Sequence, residues 1–299
     1  MKIGYPCINW TIGCSSGSTF RLRSYSESRL KKTIKNNIDC LLKILQFNAE
    51  RNIFFFRITS DLVPFASHPV NNFNWKGCFA SNFKEIGDFI KKNGIRISMH
   101  PDQFTLINSV REDVFERSVK ELEYHASILD LMQLDTDAKI QIHAGGVYDN
   151  KQHSTDRFVE RFSKLDNSLR LRLVVENDDR LYNLNDCIEI SNKVGVPVLF
   201  DVFHHSINAT AASTNQALQL SSRTWNRKSD SVPMVDYSSR NLNGPSRQHA
   251  DSIDIEDFKK FLLDTEPFNF DVMLEIKDKE KSAAKAIEAA KQDIRLNIA

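Results

Sequence analysis

Residues 198–205 are Val198-Leu199-Phe200-Asp201-Val202-Phe203-His204-His205, a short apolar run that leads into an aspartate and two histidines. A continuous apolar run of this length is typical of a strand that is buried on both faces of a parallel sheet. Carboxylate and imidazole groups are common ligands of divalent metals. The stretch therefore predicts a buried strand that ends at Asp201 and delivers His204 into the following loop.

Strand-length apolar runs alternate with helical patterns along the whole chain. Strands are predicted at residues 2–8, 53–58, 95–99, 139–142, 171–176, 197–202, 233–237 and 269–275. The clearest helix repeats apolar residues every three or four positions, at Leu30, Ile34, Ile38, Leu41 and Leu45. Further helices are predicted near residues 81–93, 111–134, 154–165, 185–194, 215–225, 255–263 and 280–295. Eight strand and helix units without a flexible linker predict a single (β/α)8 TIM barrel over residues 1–299.

The alternative fold is an open, doubly wound sheet, which normally carries a glycine-rich phosphate loop after its first strand. Residues 8–17 contain no G-x-G-x-x-G pattern, so we expect neither that fold nor a nucleotide cofactor. Two long polar loops, at residues 9–29 and 238–254, carry arginines. In a barrel both loops would follow strands and lie at the catalytic face.

The overall charge does not by itself indicate a nucleic-acid-binding protein. Lys and Arg number 40 against 39 Asp and Glu, a formal net charge of +1, so any basic surface must be local. The chain starts without the pattern of a secretion signal, and no apolar segment approaches the roughly 18 residues that span a membrane. We expect a soluble, cytoplasmic monomer. Five cysteines, an odd number without a Cys-x-x-Cys pair, predict free and mostly buried thiols rather than a disulfide framework.

Acidic residues and histidines stand at the carboxyl ends of six predicted strands, where barrel enzymes build their active sites. They are His100, His143, Glu176, Asp201, Asp236 and Glu275, with His204 and His249 shortly after two of these strands. Alone, each would be interpreted as a loop hydrogen bond or a helix cap. Together they predict a metal centre, because converging buried carboxylates and imidazoles need cations between them.

Eight candidate ligands exceed what one tetrahedral ion uses, so the sequence predicts two or three divalent ions, Mn²⁺ or Zn²⁺, with a shared carboxylate. Glu176 is the predicted bridge, and with His100 and His143 it forms the predicted catalytic group. We assign these three residues to one ion, Glu176 with Asp201, Asp236 and Glu275 to a second, and His204 with His249 to a third. The other histidines are predicted to be structural, namely His68, His125, His153 and His205.

The whole chain resembles the UV damage endonuclease family, metal-dependent barrels related to endonuclease IV and, more distantly, to xylose isomerase. The matching stretches include the His-Pro-x-Gln, Glu-Asn-Asp-Asp and Asp-x-x-His-His combination in this order. They are Gly4-Tyr5-Pro6 with Asn9, Arg57-Ile58-Thr59-Ser60, Met99-His100-Pro101-Asp102-Gln103, Ile142-His143-Ala144-Gly145-Gly146, Glu176-Asn177-Asp178-Asp179, Phe200-Asp201-Val202-Phe203-His204-His205 and Tyr237-Ser238-Ser239.

The resemblance implies an endonuclease that cuts damaged double-stranded DNA immediately 5′ of a UV photoproduct or an abasic site, leaving a 3′-hydroxyl and a 5′-phosphate. By resemblance the eight residues above are its metal ligands. Gln103 and Phe104 match the pair that wedges into the duplex, and Tyr5 and Asn9 match residues that line the lesion pocket. Phosphate contacts are expected from basic loop residues, namely Arg21, Arg23, Arg29, Arg223, Arg227, Lys228, Arg240 and Arg247.

Three positions depart from the family pattern. Met234 stands where the family commonly has a lysine, reported as carboxylated near the metals, and Asp236 stands where a ligating histidine is usual. Phe104 replaces the usual tyrosine and keeps its stacking face. The alternatives are a sugar isomerase or epimerase on the same barrel, an apurinic-site endonuclease, and a metal-dependent scaffold that binds DNA or a partner without chemistry. The arginine-bearing loops and the Gln103-Phe104 pair favour the nuclease.

Overall fold

The computed structural model describes residues 1–148, 150–241 and 247–297. Its strands are β1 (Ile3–Pro6), β2 (Phe55–Ile58), β3 (Arg96–Met99), β4 (Lys139–His143), β5 (Leu173–Glu176), β6 (Val198–Asp201), β7 (Met234–Tyr237) and β8 (Asp271–Leu274). All are parallel to their neighbours and close into a barrel in sequence order, with β1 paired to both β2 and β8. The predicted TIM barrel is confirmed, and each observed strand lies at a predicted position.

The strands are joined by helices, most of which pack around the outside of the barrel. They are α1 (Glu27–Ala49), α2 (Trp75–Cys78), α3 (Ala80–Lys92), α4 (Glu112–Leu131), α5 (Lys151–Lys164), α6 (Asn167–Arg170), α7 (Leu184–Val194), α8 (Val202–Ile207), α9 (Thr214–Ser222), α10 (Ile255–Asp264) and α11 (Glu280–Ala289). The predicted apolar stripe of α1 is buried. The short helices α2, α6 and α8 have no counterpart in the sequence prediction. None of the helices in the described ranges is long and apolar enough to cross a membrane.

Side chains point alternately into and out of the barrel along each strand. An apolar layer fills the lower interior, formed by Phe55, Val174, Leu199, Trp225, Met234 and Met273. A polar layer lies above this apolar layer. Each of its residues stands two positions after an apolar-layer residue of β2, β5, β6, β7 or β8, and they are Arg57, Glu176, Asp201, Asp236 and Glu275. Arg57 contacts Gln141 on β4 and Asp236 on β7. Side chains of strands that are not neighbours can meet only inside the barrel, so this polar layer lies in the interior, on an apolar floor.

The cysteines depart from the prediction. Cys14 and Cys40 form a disulfide bond, with their Cα atoms 6.0 Å apart, although 26 positions separate them in the sequence. The loop after β1 brings Cys14 against α1, which carries Cys40, and sequence spacing gives no sign of that contact. Among the free cysteines Cys187 is buried, Cys7 is half-buried and Cys78 is exposed. The prediction of free, mostly buried thiols is therefore wrong for the bonded pair and for Cys78.

Candidate metal centre

The mouth of the barrel brings all of the predicted ligands close together. Three overlapping groups of side chains each place their ligand atoms within 4.8 Å of one another. The groups are His100, His143 and Glu176; Glu176, Asp201 and His204; and Asp201, Asp236 and Glu275. His249 adjoins the third group, with its Nε2 3.8 Å from Glu275 Oε2. Glu176 and Asp201 each belong to two groups, as a bridging carboxylate would.

Glu176 is buried at the centre of this arrangement. Its Oε2 lies 3.5 Å from His100 Nε2 and 3.7 Å from His143 Nε2, too far for a good hydrogen bond. Two ligands that each lie about 2.1 Å from one ion are separated by roughly this much. This geometry fits a divalent ion between Glu176 and the two imidazoles.

The chain turns into a helix, rather than the expected loop, directly after β6. Asp201 ends the strand and caps α8, its Oδ1 accepting a hydrogen bond of 2.6 Å from the backbone N–H of His204. A helix this short shows no apolar repeat, so the sequence pattern misses it. The turn places His204 Nδ1 3.0 Å from Glu176 Oε1 and 3.4 Å from Asp201 Oδ2. His204 thus groups with Glu176 and Asp201 instead of His249, whose ring centre is 6.5 Å away.

The carboxylates at the mouth repel one another. Burial, together with repulsion from Glu176, raises the pKa of Asp201 well above its ordinary value, although His204 opposes this shift. Burial also raises the pKa of Asp236 to about 7, against the attraction of Arg57. Shifts in this direction show that Asp201 and Asp236 have too little positive charge beside them. Bound divalent cations would supply that charge. Glu176 and Glu275 differ: despite burial, His143 holds the pKa of Glu176 well below its ordinary value, and Arg57 lowers that of Glu275 to about 2.

Arg57 and Gln141 belong to the site although the sequence patterns assign neither of them to it. Arg57 Nη2 donates to Asp236 Oδ2 and to Gln141 Oε1, both at 2.7 Å, and its Nη1 pairs with Glu275. Gln141 Nε2 donates to Asp236 Oδ2 at 2.7 Å and also to Glu176. The sequence does carry a signal that could have identified them, since each is a polar residue within an apolar strand. A polar group buried at such a position needs hydrogen-bond partners.

An open cleft of about 710 Å³ lies over the mouth. Gln103 and Phe104 form part of its wall, and the Phe104 side chain is 75% exposed. Arg247 also lines the cleft, with its Nε 3.5 Å from Asp179 Oδ2. Arg240 is exposed and donates to the carbonyl of Ser206 at 3.0 Å. The predicted wedge residues and two of the predicted basic residues therefore lie on the side of the molecule that carries the metal groups.

Tyr5 and Asn9 do not line this cleft, contrary to the prediction. Tyr5 is fully buried and donates a hydrogen bond of 2.7 Å to Asn48 Oδ1 on α1, while Asn9 donates to the Tyr5 hydroxyl at 2.8 Å. The alternation along β1 explains this, because Pro6 faces the cleft and the adjacent Tyr5 must point to the helix layer. The pair fastens β1 to α1.

Lys228 lies at the other end of the barrel. It lines a surface hollow with Asp137, which precedes β4, and Arg172, which precedes β5. The helix α9 carries the chain from the mouth back to the amino ends of the strands, and Arg227 and Lys228 follow that helix. The prediction that Lys228 contacts DNA alongside the metal centre is therefore wrong.

A (β/α)8 barrel with histidines and carboxylates gathered at the carboxyl ends of its strands defines a barrel enzyme with its active site at that mouth. The sequence profile described as UV-endonuclease UvdE matches residues 1–295. The UV DNA damage endonuclease of Clostridium perfringens is 39% identical over 293 residues, 98% of this chain and 71% of the relative. That of Bacillus cereus strain G9842 is 32% identical over 96% of this chain and 94% of the relative. The chain belongs to the UV-endonuclease UvdE family, which confirms the resemblance.

Solved structures agree with this membership. The crystal structure of SacUVDE matches with a TM-score of 0.93 and 44% identity over 98% of each chain. A D-psicose 3-epimerase matches with a TM-score of 0.59 over 99% of this chain and 100% of its own, at 14% identity. Endonuclease IV from Thermus thermophilus gives 0.54 over 84% and 93%, also at 14% identity. These last two share the fold alone, whereas family membership makes this chain a nuclease that acts on DNA.

Proposed function

We propose that the protein nicks double-stranded DNA immediately 5′ of a UV photoproduct, leaves a 3′-hydroxyl and a 5′-phosphate, and depends on Mn²⁺ or Zn²⁺ held at the mouth. The observation that carries this proposal is the position of Glu176, which faces three imidazoles beneath an open cleft. An abasic site also lacks normal stacking, so it is a second candidate lesion for the same centre.

Two of the three ligand groups fit divalent ions. His100, His143 and Glu176 would hold one ion, and Glu176 with Asp201 and His204 would hold the other. Bound ions of this kind supply an acidified water and neutralise the charge that develops on the scissile phosphate. Because Glu176 is shared, it fixes the spacing between the two ligand groups.

The residues around the cleft would position the DNA. Phe104 presents an exposed ring at the rim, and an aromatic face stabilises a stacked base by about 1–3 kcal/mol. Gln103 stands beside it, and Arg247 in the cleft wall suits a phosphate contact. A photoproduct stacks and pairs poorly, so displacing it from the duplex costs less than displacing intact bases. Damage, rather than base sequence, would thus direct the protein to its substrate.

The test uses three end-labelled duplexes of one sequence, which carry one pyrimidine dimer, one abasic site or no lesion. With Mn²⁺ we expect one product from the dimer duplex, whose 3′ end maps directly 5′ of the dimer and can be extended by a DNA polymerase. Excess chelator should abolish this product. Lys228→Ala is the matched control, because Lys228 lies at the far end of the barrel and its loss should leave the cleavage unchanged.

The other outcomes separate the alternatives. Cleavage of the abasic duplex alone would restrict the substrate to apurinic sites. Equal cleavage of the undamaged duplex would contradict recognition of the lesion, and cleavage that persists in chelator would contradict the metal centre.

A further inference from the structure

Arg57 places a fixed positive charge inside the polar layer of the barrel. It projects from β2, above Phe55 of the apolar layer, and is only 3% exposed. Its Nη2 lies 2.7 Å from Asp236 Oδ2 and 2.9 Å from Asp236 Oδ1, and its Nη1 pairs with Glu275. With so little exposure, the guanidinium must be compensated by these two carboxylates rather than by water.

The same two carboxylates belong to the third group of potential metal ligands, together with Asp201. Both oxygens of Asp236 already accept hydrogen bonds, one from Arg57 and the other from Arg57 and Gln141. An ion bonded to Asp236 at about 2.1 Å would lie within roughly 5 Å of the guanidinium, and like charges repel strongly in a buried site. While Arg57 is in place, this group does not fit a metal ion.

The layer beneath Asp236 offers no replacement ligand. Met234 lies two positions earlier on β7 and is fully buried. It packs in the apolar floor, whose described members have no carboxylate or imidazole group. A thioether is a soft ligand that suits neither Mn²⁺ nor a site built from carboxylates. A third ion would depend on the oxygens that Arg57 already holds.

The balance of charge at the mouth also favours two divalent ions over three. The carboxylates of the three groups number four, at Glu176, Asp201, Asp236 and Glu275. Two divalent ions and Arg57 supply five positive charges, which these four carboxylates and one bound phosphate of DNA would balance. A third divalent ion would leave an excess of two positive charges in a buried site.

We propose that Arg57 takes the position of a third metal ion, so that the mouth binds two divalent ions and Asp236 anchors Arg57 instead of a metal. This inference rests on the proposed function, because it concerns the same metal centre. Arg57 is then a positioning residue. It holds one oxygen of Glu275 and leaves the other facing His249 at 3.8 Å.

The test counts bound metal. Wild-type protein, Asp201→Asn and Asp236→Asn are stripped with chelator, reloaded with Mn²⁺ and desalted, and the manganese per chain is measured by inductively coupled plasma mass spectrometry. Asp201 and Asp236 are register partners on adjacent strands, so the two variants are closely matched. We expect two ions in wild type and in Asp236→Asn, and one in Asp201→Asn. Three ions in wild type, or the loss of one in Asp236→Asn, would overturn the inference.

Arg57→Gln tests directly whether Arg57 and a third metal ion compete for Asp236 and Glu275. Removal of the guanidinium frees Asp236 and Glu275, so we expect a third manganese ion in this variant once circular dichroism shows that it is folded. A folded variant that still binds two ions would overturn the competition, and if the variant does not fold, the count in Asp236→Asn decides. Wild-type protein that binds no ion would overturn the proposed metal dependence, whereas three ions would overturn this inference alone.

Discussion

The two ends of the barrel interior accommodate buried charge in different ways. At the bottom, where the strands begin, each carboxylate has its own cation, with Arg96 Nη1 2.9 Å from Asp271 and Lys139 Nζ 2.6 Å from Asp230. At the mouth four carboxylates lie close together, and the guanidinium of Arg57 pairs with two of them, Asp236 and Glu275. The bottom is therefore balanced as folded, whereas the mouth needs added cations. The comparison separates charges that stabilise the barrel from charges that bind a ligand.

Hydrogen bonds to the backbone explain why the bottom is structural. Arg96 also donates to the carbonyls of Val232 at 2.7 Å and Asp230 at 3.0 Å. Lys139 donates to the carbonyl of Leu171 at 2.7 Å. These bonds tie the starts of β3 and β4 to the segments that lead into β7 and β5. The two buried ion pairs of the bottom are thus used by the fold.

Glu176→Gln at the mouth should have the largest effect. We expect the rate of incision at a pyrimidine dimer to fall roughly 1,000-fold or more, since the lost charge weakens both ion positions and a bound ion contributes several kcal/mol of transition-state stabilisation. The amide keeps the volume of the side chain, so the protein should stay folded. Single-turnover incision measures the effect, with Glu50→Gln on the surface as the control. A Glu176→Gln rate above a tenth of the wild-type rate would contradict the comparison.

Lys139→Met at the bottom should change stability and leave the chemistry intact. Asp230 would remain buried without its cation, and breaking a buried ion pair from one side costs about 3–5 kcal/mol. Urea denaturation in chelator measures this loss, while the manganese content of the folded variant should match that of wild type. Adding Asp230→Asn should recover much of the stability. A loss below about 1 kcal/mol would show that the bottom pairs are not needed by the fold.

His125 represents a third kind of site, a buried histidine outside the three groups of potential metal ligands. Its Nδ1 lies 2.7 Å from the carbonyl of Glu121, its Nε2 lies 3.1 Å from Ser60 Oγ, and burial lowers its pKa to about 4. The folded pKa is below the unfolded value of about 6.5, so this stabilisation is present above pH 6.5 and is lost as the pH falls towards 4. Between pH 7 and pH 5 wild type should lose about 2 kcal/mol that His125→Gln does not lose.

Denaturation of both proteins in chelator isolates this contribution, because metal binding then plays no part. The quantity to compare is the difference between their two pH dependences, since other groups titrate equally in both. Identical pH dependence would mean that His125 is not held neutral in the fold.

The strand-end ligands could be predicted because their signal is local. A buried parallel strand is a continuous apolar run, and a residue such as His143 or Glu176 interrupts it at a single position. Barrel closure then brings all of the strand ends to one mouth, so the convergence follows from topology without any knowledge of contacts.

The pairings inside the barrel could not be predicted, because no local signal records them. Arg57 and Asp236 are 179 positions apart and meet only across the closed interior. The position of Lys228 could not be predicted either, because α9, which lies between β6 and Lys228, carries the chain to the other end of the barrel. Tyr5 lies on a strand of four residues, too short for its alternation to show which side chains face the barrel.

Phe104→Ala and Lys228→Ala compare the two ends as DNA-binding surfaces and should show the smallest effects. Loss of the exposed ring should weaken binding to a dimer-containing duplex about 10-fold, because stacking on an aromatic side chain contributes about 1–3 kcal/mol. Lys228→Ala should change the affinity less than about two-fold, since a single contact at the far end of the barrel is out of reach of DNA bound at the mouth. Fluorescence anisotropy in chelator measures both affinities without cleavage. Phe104→Trp, which keeps an aromatic face, should retain most of the affinity. Equal losses of affinity in Phe104→Ala and Lys228→Ala would mean that the DNA contacts both ends of the barrel.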